Sequence, residues 1–350
     1  MSQTIRYASV LAVIGAERGK LLSEGKIKSL AETKNLNDIV AQLHDSAYQE
    51  KIAKIPSPLT SRKLERAFHE SLIETEIKIL KKTPKNSLNY LLIYMLKFEV
   101  ENLKTLIKAT TAKLTLDERL SKIYFSAQDF FKHHQTLEEA AKAADLKQLV
   151  ATLKGSQFAS ALRLGLESFE ETGSTTCLDV LLDKAFYEKL YDAYCGLPKK
   201  EQTHAKFYAS MENDGYVLLT LLRGKNLRYD PNWLRLAVPS RTFNISKEAV
   251  EEMVTAEDFE AALGIAKKTD YKKFFFKTQN PEATVAEAER NFKSELLHHA
   301  KDNRNSEIFN IGLPLAFLVQ KENEVHNLSA LSLGVEAGLK PEEILSQLTL

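Results

Sequence analysis

The chain has 350 residues, of which 48 are Lys or Arg and 47 are Asp or Glu, so its formal net charge is +1. This balance argues against general nucleic-acid binding, which relies on an excess of basic side chains to neutralise phosphates. Glycine (13) and proline (9) are scarce, and this composition predicts a soluble chain that is helical almost throughout.

The N-terminal segment contains two patterns that could be mistaken for functional signals. The apolar run at 8–16 is too short to span a membrane and lacks the cleavage pattern of a signal peptide. The stretch VIGAERGKLLSEGK at 13–26 has the glycines and lysine of a phosphate-binding loop. However, only three residues separate Gly15 from Gly19, and Leu21 follows the lysine where Ser or Thr is required. We interpret the stretch as a helix start and a surface turn.

Three sequence blocks each occur three times, and the first predicts an amphipathic helix followed by a turn. Block 1 covers 36–48, 146–158 and 259–271. In each copy an apolar residue opens the block, and a second apolar residue follows seven positions later on the same helix face. An aromatic residue closes each copy: Tyr48, Phe158 and Tyr271. We expect these three aromatic side chains to dock against the core.

Block 2 predicts one apolar stripe of a helix. It covers 65–72, 183–190 and 289–296, and each copy reads acid, base, any residue, Phe, three variable residues, Leu. The acid, Phe and Leu fall at i, i+3 and i+7, which is one face of a helix. The predicted core residues of the repeat are Phe68, Leu72, Phe186, Leu190, Phe292 and Leu296.

Block 3 opens with an acid and continues as a leucine-rich helix. It covers 99–110, 214–225 and 324–335. The first and third copies carry Asn three residues after the acid, and the first two carry a base nine residues after it, where the third has Leu333. We expect the acids to lie near a common axis and to contact a partner; alternatively, they cap or solvate their helices. The candidate partner-contact residues are Glu99, Asn102, Asp214, Arg223, Glu324 and Asn327.

The spacing of the blocks predicts a triplicated chain. Successive copies of block 1 lie 110 and 113 residues apart, and the acids of block 3 lie 115 and 110 residues apart. These offsets divide the chain into three helical repeats, which we call repeat 1 (1–110), repeat 2 (111–225) and repeat 3 (226–350). Near the C-terminus, Gly338 suits a left-handed helix end and Pro341 suits the first turn of a new helix.

The sequence shows no constellation of residues that carries chemistry. Two cysteines, Cys177 and Cys195, cannot form a disulfide framework or a four-ligand zinc site, and we expect both to be free thiols in a reducing setting. The adjacent histidine pairs 133–134 and 298–299 point in different directions on a helix and are poorly placed to share a metal. We therefore predict no catalytic, cofactor-binding or metal-binding residue.

A basic and aromatic stretch, KKTDYKKFFFKTQ at 267–279, is the best candidate for an anion-binding surface. It could lie near lipid headgroups, bind RNA, or bury its three phenylalanines against the fold. The last interpretation is favoured, because a run of Phe at this density is usually part of a core.

The closing stretch LVQKENEVHNLSALSLGVEAGLKPEEIL at 318–345 resembles the C-terminal signature of the C subunit of archaeal-type (A-type) ATP synthases, the equivalent of the d subunit of vacuolar ATPases. The acid and Asn of Glu99–Asn102 and the order of the three blocks are similar as well, so the resemblance extends from Tyr7 to the end of the chain. It implies an all-α fold of three homologous helical domains, arranged as a funnel around a pseudo-threefold axis.

The resemblance also implies a role and a set of partners. The chain would be a non-catalytic rotor part that couples the central stalk to the membrane ring of proteolipid subunits, for ATP synthesis or ion pumping. It would be peripheral, at the cytoplasmic face of the cell membrane, with indirect membrane contact through the ring. The family usually has arginines in the first helix, where this chain has a Gly-Ala stretch within 11–20, and a base where this chain has Leu333.

The alternative is a helical scaffold that binds peptides or RNA. Scaffolds of that kind have repeats of about 33–47 residues, much shorter than the spacing found here. The sequence therefore favours the rotor adaptor over the scaffold.

Overall fold

The computed structural model of the protein describes residues 3–302 and 309–350. Within these residues the chain forms twenty α-helices and no β-strand, which confirms the prediction of an all-α fold. In chain order the helices are α1 (Gln3–Arg18), α2 (Glu24–Ala31), α3 (Leu36–Gln42), α4 (Gln49–Ile52), α5 (Ser61–Leu80), α6 (Lys85–Met95), α7 (Lys97–Thr111), α8 (Leu116–Leu120), α9 (Phe125–Phe131), α10 (His134–Ala141), α11 (Leu146–Thr152), α12 (Ala159–Thr172), α13 (Thr176–Cys195), α14 (Lys199–Asn226), α15 (Pro231–Ala237), α16 (Lys247–Thr255), α17 (Phe259–Ala266), α18 (Pro281–Asp302), α19 (Gly312–Glu336) and α20 (Pro341–Leu345). A short 3₁₀ helix covers Lys272–Phe274.

The chain divides into two compact bodies. Body 1 comprises Met1–Leu88 and Ser294–Leu350, and body 2 comprises Asn89–Lys293. In body 1, α5 packs along α19, whereas in body 2, α12 packs along α13. The division into three domains at residues 110 and 225 stays a prediction. Among the described residues, no helix is long and apolar enough to cross a bilayer.

The helices of block 1 begin in the same way in all three repeats. The residue before α3, α11 and α17 has an extended backbone, and its side-chain oxygen accepts a hydrogen bond from the backbone N–H three residues later. These N-cap residues are Asn35, Asp145 and Asp258, with bond lengths of 3.0, 2.8 and 2.8 Å. Such caps satisfy backbone N–H groups that have no partner inside the helix.

The helices of block 3 also end in the same way. Near the ends of α7, α14 and α19 one residue adopts a left-handed backbone: Lys113 (φ 54°), Arg228 (φ 59°) and Gly338 (φ 70°). The next N–H then bonds the carbonyl five residues earlier, at 2.9–3.0 Å in each copy. This is the Schellman ending of a helix, and the expected helix stop at Gly338 and restart at Pro341 are confirmed.

A small residue precedes each of these endings by four positions, which the sequence analysis did not single out. The residues are Ala109, Gly224 and Gly334. A Cβ atom at Gly224 would lie 2.2 Å from Cδ2 of Leu234, and one at Gly334 would lie 2.7 Å from Cγ1 of Ile344. Glycine is therefore needed because α15 and α20 cross close to the preceding helix.

The apolar stripe of block 2 lies in the core. Its six predicted residues, Phe68, Leu72, Phe186, Leu190, Phe292 and Leu296, are all buried. The ring centroid of Phe68 lies 5.2 Å from that of Tyr48, and the ring centroid of Phe292 lies 5.5 Å from that of Tyr271. In repeats 1 and 3 the block 2 phenylalanine thus packs on the aromatic residue that closes block 1.

The expected burial of all three phenylalanines in the basic stretch is wrong at one position. Phe274 and Phe275 are buried, but Phe276 is 59% exposed. The 3₁₀ helix ends at Phe274 and the backbone becomes extended at Phe275. Because successive side chains of an extended segment point to opposite sides, Phe276 points away from the core.

The stretch at 13–26 forms no phosphate-binding loop. Gly15 lies inside α1, a turn follows that helix, and α2 starts at Glu24. The expected helix start is therefore preceded by a helix end and its turn. Glu17 in this stretch is buried and pairs with Lys20 at 2.9 Å and with Lys78 at 3.1 Å.

Candidate functional site

The three acids that open block 3 are buried. The exposed fractions are 4% for Glu99, 0% for Asp214 and 6% for Glu324. Burying a carboxylate costs free energy unless hydrogen bonds or opposite charges compensate for the lost water. The expectation that these acids solvate their helices is therefore wrong, and each acid has partners inside its own body.

Glu324 lies at the centre of a buried polar cluster in body 1. The Tyr48 hydroxyl donates to its Oε1 at 2.6 Å, and Lys321 Nζ donates to the same oxygen at 2.8 Å. Lys321 also donates to the Tyr48 hydroxyl at 2.7 Å and lies 4.1 Å from the centroid of that ring. The backbone N–H of Leu22 donates to Oε2. Burial lowers the pKa of Lys321, and the Glu324 charge opposes that shift.

Asp214 occupies the corresponding position in body 2. Its Oδ1 accepts the N–H of Phe243 at 2.8 Å, and its Oδ2 accepts the N–H of Asn244 at 2.7 Å. The Tyr271 hydroxyl donates to Oδ2 at 2.8 Å, and the side-chain amide of Asn213 donates to Oδ1 at 3.2 Å. Burial raises the pKa of Asp214, and the hydrogen bonds from the two backbone N–H groups partly offset the rise.

Glu99 has longer contacts than the other two acids. His133 Nδ1 lies 3.3 Å from its Oε2, and Gln157 Nε2 donates to the same oxygen at 3.4 Å. Burial raises the pKa of Glu99, and the neighbouring His133 opposes the rise. Phe158, which closes block 1 in this repeat, has no hydroxyl to donate. His133 and Gln157 supply what a tyrosine hydroxyl supplies at the other two acids.

The acid of each repeat thus contacts the block 1 segment of the next repeat. Glu99 of repeat 1 contacts Gln157 of repeat 2, and Asp214 of repeat 2 contacts Tyr271 of repeat 3. In body 1, Glu324 of repeat 3 contacts Tyr48 of repeat 1, which lies 276 residues earlier in the chain. The two ends of the chain therefore complete together what a continuous segment forms elsewhere.

A shared turn holds the aromatic residue of block 1 in place. Two positions before it, a hydroxyl oxygen accepts the N–H of the aromatic residue in all three repeats. The hydroxyls belong to Ser46, Ser156 and Thr269, at 3.2, 3.1 and 3.2 Å. This turn confirms the predicted turn after the helix of block 1.

The two block 3 asparagines form the same pair of hydrogen bonds. Asn102 accepts the N–H of Tyr124 at 2.8 Å and donates to its carbonyl at 3.0 Å. Asn327 accepts the N–H of Thr349 at 3.1 Å and donates to its carbonyl at 2.7 Å. In both cases the bonded residue lies 22 positions later. In repeat 2 that position is Pro239, which has no N–H to donate, and Val217 replaces the asparagine.

Arg223 differs from the other candidate residues because its side chain is half exposed. It forms an ion pair with Glu289, and Lys108 at the same position of repeat 1 forms one with Asp179 at 2.9 Å. Contact of the six candidate residues with a partner stays a prediction. Five of them, Glu99, Asn102, Asp214, Glu324 and Asn327, are buried and bonded within their own body.

Within residues 3–302 and 309–350, no group of three or more acids, histidines or cysteines is arranged to hold a metal ion. Both cysteines are free, Cys177 buried and Cys195 exposed, as the sequence analysis expected. The geometry described above consists of buried carboxylates that join helices.

Comparison with known proteins identifies the family of this repeated architecture. The profile of the ATP synthase (C/AC39) subunit family matches residues 10–347, nearly the whole chain. The chain belongs to the ATP synthase (C/AC39) subunit family. This membership confirms the resemblance that the repeats and the stretch 318–345 indicated, and it agrees with the prediction of a non-catalytic subunit.

The curated relatives of this C/AC39 subunit are parts of archaeal complexes. The chain is 25% identical over 340 residues to the A-type ATP synthase C subunit of Thermococcus kodakarensis, with 97% of this chain and 89% of that protein covered. The corresponding protein of Pyrococcus abyssi is 26% identical, with the same coverage. That of Methanocaldococcus jannaschii is 24% identical, with 98% of this chain and 86% of the relative covered.

Proposed function

We propose that the protein is the rotor adaptor of an A-type ATP synthase, which couples the central stalk to the proteolipid ring in the membrane. The observation that carries the proposal is the family match over residues 10–347, together with relatives that are the C subunits of A-type ATP synthases and align along nearly their whole length. The adaptor transmits torque between stalk and ring, for ATP synthesis or ion pumping, and has no reaction of its own to catalyse.

The buried carboxylates support a mechanical role. A part that transmits torque must resist deformation, and each acid joins the end of one repeat to the start of the next through short hydrogen bonds. The cluster of Tyr48, Lys321 and Glu324 joins residues from the two ends of the chain. Fully satisfied polar networks of this kind stiffen a protein interior, because an alternative arrangement would leave buried polar groups without partners.

The proposal includes a location and an arrangement. The adaptor lies at the cytoplasmic face of the cell membrane, peripheral to it, with the ring as its indirect contact to lipid. Its three repeats form a funnel around a pseudo-threefold axis, with the base on the ring and the mouth around the foot of the stalk. Repeated hydrogen bonds at three places in the sequence support this arrangement.

An affinity purification tests the proposed function. The tagged protein is purified from gently detergent-solubilised host membranes that contain intact ATP synthase, and its partners are identified by mass spectrometry. Recovery of a small proteolipid together with central-stalk subunits is the expected result. Recovery of neither would refute the adaptor, and recovery of RNA or unrelated peptides instead would favour a scaffold.

A structural variant provides the matched control for this purification. Replacing Phe68 by Ala removes a fully buried ring from body 1, and the unfolded protein should recover neither partner. Replacing the exposed Leu116 (39% exposed) by Ala should leave recovery unchanged. A variant that has lost its fold but still recovers both partners would show that the recovery is non-specific.

A further inference from the structure

Two of the three repeats close the outer edge of a helix pair with an ion pair. In body 2, Lys108 on α7 pairs with Asp179 on α13 at 2.9 Å, and Arg223 on α14 pairs with Glu289 on α18. Each base lies nine residues after the acid of block 3. Each carboxylate lies on the block 2 helix of the following repeat.

The third helix pair lacks this base. In body 1 the corresponding helices are α19 and α5, and the position of the base is occupied by Leu333, which is 60% exposed. The carboxylate at the start of block 2 is Glu65, also exposed, and it forms no ion pair with any residue that the structure describes. The place of a closing ion pair is therefore taken by an apolar side chain and a carboxylate.

A groove of about 640 Å³ lies between these two side chains. We call it the α5–α19 groove; it is lined by residues from the first turn of α5, including Arg62 and Glu65, and by a stripe of α19 from His326 to Glu336. Ser329 takes the position of Lys104, which pairs with Asp183 in body 2. Two basic side chains of repeat 1 are thus replaced by small or apolar ones in repeat 3.

The charges that line the groove define what can fill it. The Glu336 carboxylate is engaged, because it accepts the backbone N–H of Ser61 at 3.2 Å and also the hydroxyl of that residue. Glu65 is the carboxylate left without a cation, and Leu333 is the exposed apolar surface beside it. The complementary ligand therefore carries an apolar side chain and, close to it, a Lys or Arg.

The shape of the groove favours a helix as this ligand. Its α19 lining residues, His326, Ser329, Ala330 and Leu333, are spaced by three or four positions and form a stripe along the helix axis. A third helix can lie against such a stripe and present its own side chains at matching intervals.

We propose that the α5–α19 groove binds the end of a helix of the central stalk, which places an apolar side chain on Leu333 and a basic side chain on Glu65. This inference rests on the proposed function and names the surface by which the adaptor holds the stalk. In repeats 1 and 2 the chain supplies this base itself. In repeat 3 the stalk supplies it.

Photo-crosslinking in the rebuilt complex tests the contact. The host ATP synthase is stripped of this protein and rebuilt with a variant that carries p-benzoylphenylalanine in place of Leu333. Irradiation should crosslink this position to a helix of the stalk, at a segment that contains Lys or Arg. The same photoreactive residue in place of Leu227, which is 61% exposed in body 2, is the control and should not give that product.

Binding measurements with two charge variants test the chemistry. Leu333→Lys supplies an internal cation to Glu65, as Lys108 does for Asp179, and Glu65→Lys repels the basic side chain of the stalk. Each should weaken binding of purified stalk subunits about 30-fold, the size typical of an interface hot spot. Leu227→Lys and Glu101→Lys make the same changes at exposed positions of body 2 and should leave binding unchanged.

The outcomes separate the groove from the function. If the unmodified protein does not rejoin the stripped complex, both the adaptor role and the groove are refuted. If it rejoins, but position 333 crosslinks only to the ring or to nothing, the groove proposal alone is overturned. Unchanged stalk binding by Leu333→Lys and Glu65→Lys, with thermal midpoints like that of the parent, would overturn it as well.

Discussion

Replacing Tyr48 by Phe removes one hydroxyl from the buried cluster around Glu324. The hydroxyl donates to Glu324 at 2.6 Å and accepts from Lys321 at 2.7 Å. The ring stays in place, so its packing on Phe68 and its contact with the Lys321 ammonium are retained. The substitution therefore isolates the hydrogen bonds from the rest of the side chain.

The expected loss follows from the two bonds. A hydrogen bond to a charged group contributes about 1.5–3 kcal/mol, so the two bonds set an upper bound of about 6 kcal/mol. Glu324 keeps Lys321 and the N–H of Leu22, and Lys321 keeps Glu324 at 2.8 Å, so neither charge is left unpaired. We therefore expect the free energy of unfolding of body 1 to fall by about 2–4 kcal/mol at pH 7.

The matched control is Tyr271→Phe in body 2. Asp214 keeps three donors after that substitution, two of which are backbone N–H groups, and no buried ammonium is involved. We expect a loss of about 1–1.5 kcal/mol, the contribution of a single hydrogen bond. The order of the two losses, with Tyr48→Phe the larger, tests the geometry independently of the absolute values.

Native-state hydrogen exchange is the appropriate assay, because it reports opening of α19 and α14 separately within one chain. Exchange of the amides in α19 should accelerate in Tyr48→Phe while that in α14 is unchanged, and Tyr271→Phe should show the reverse. A loss below about 0.5 kcal/mol for Tyr48→Phe, which is the size of an ordinary surface substitution, would refute the reasoning that this cluster holds the two ends of the chain together.

Three further predictions follow from the repeats. Alanine at any of the block 2 phenylalanines should lower the free energy of unfolding by about 3–5 kcal/mol in chemical denaturation, and a near-neutral value at any one would contradict the threefold alignment: Phe68, Phe186 and Phe292. Gly334→Ala should lower the thermal midpoint, because its Cβ would meet Ile344 at 2.7 Å, whereas an unchanged midpoint would show that α20 shifts freely. The raised pKa of Glu99 means that its contribution to stability is full below about pH 4.3 and is lost as pH rises through the folded pKa; Glu99→Gln should therefore gain stability relative to the parent between about pH 4.5 and pH 7, by at most about 1.4 kcal/mol per pH unit, and parallel pH profiles would contradict this.

The local features of the fold could be predicted from short stretches of sequence. Block 1 carries its own N-cap, apolar positions and closing aromatic, and the structure shows the same cap and turn in all three copies. Gly338 and Pro341 mark a helix stop and restart by their backbone preferences alone. These predictions succeed because they depend on interactions within about one helical turn.

The candidate site was only half predictable. The three acids could be found from their equal spacing, but a charged residue on a helix is usually exposed, so their burial could not be derived. The hydroxyl of the closing aromatic was an available signal, because Tyr48 and Tyr271 place a polar group at the end of an otherwise apolar block. The need for glycine at Gly224 and Gly334 had no local signal, since it comes from the close approach of another helix.

The sequence by itself determined that this protein is all-helical, that its pattern repeats three times, and where its block 1 and block 3 helices begin and end. Only the tertiary structure decided that the acid of each repeat contacts the following repeat, and that Glu324 reaches back to Tyr48 across 276 positions. The physical reason is range. Caps, turns and amphipathic stripes act between neighbours in the chain, whereas a buried carboxylate must find donors wherever the packed helices bring them.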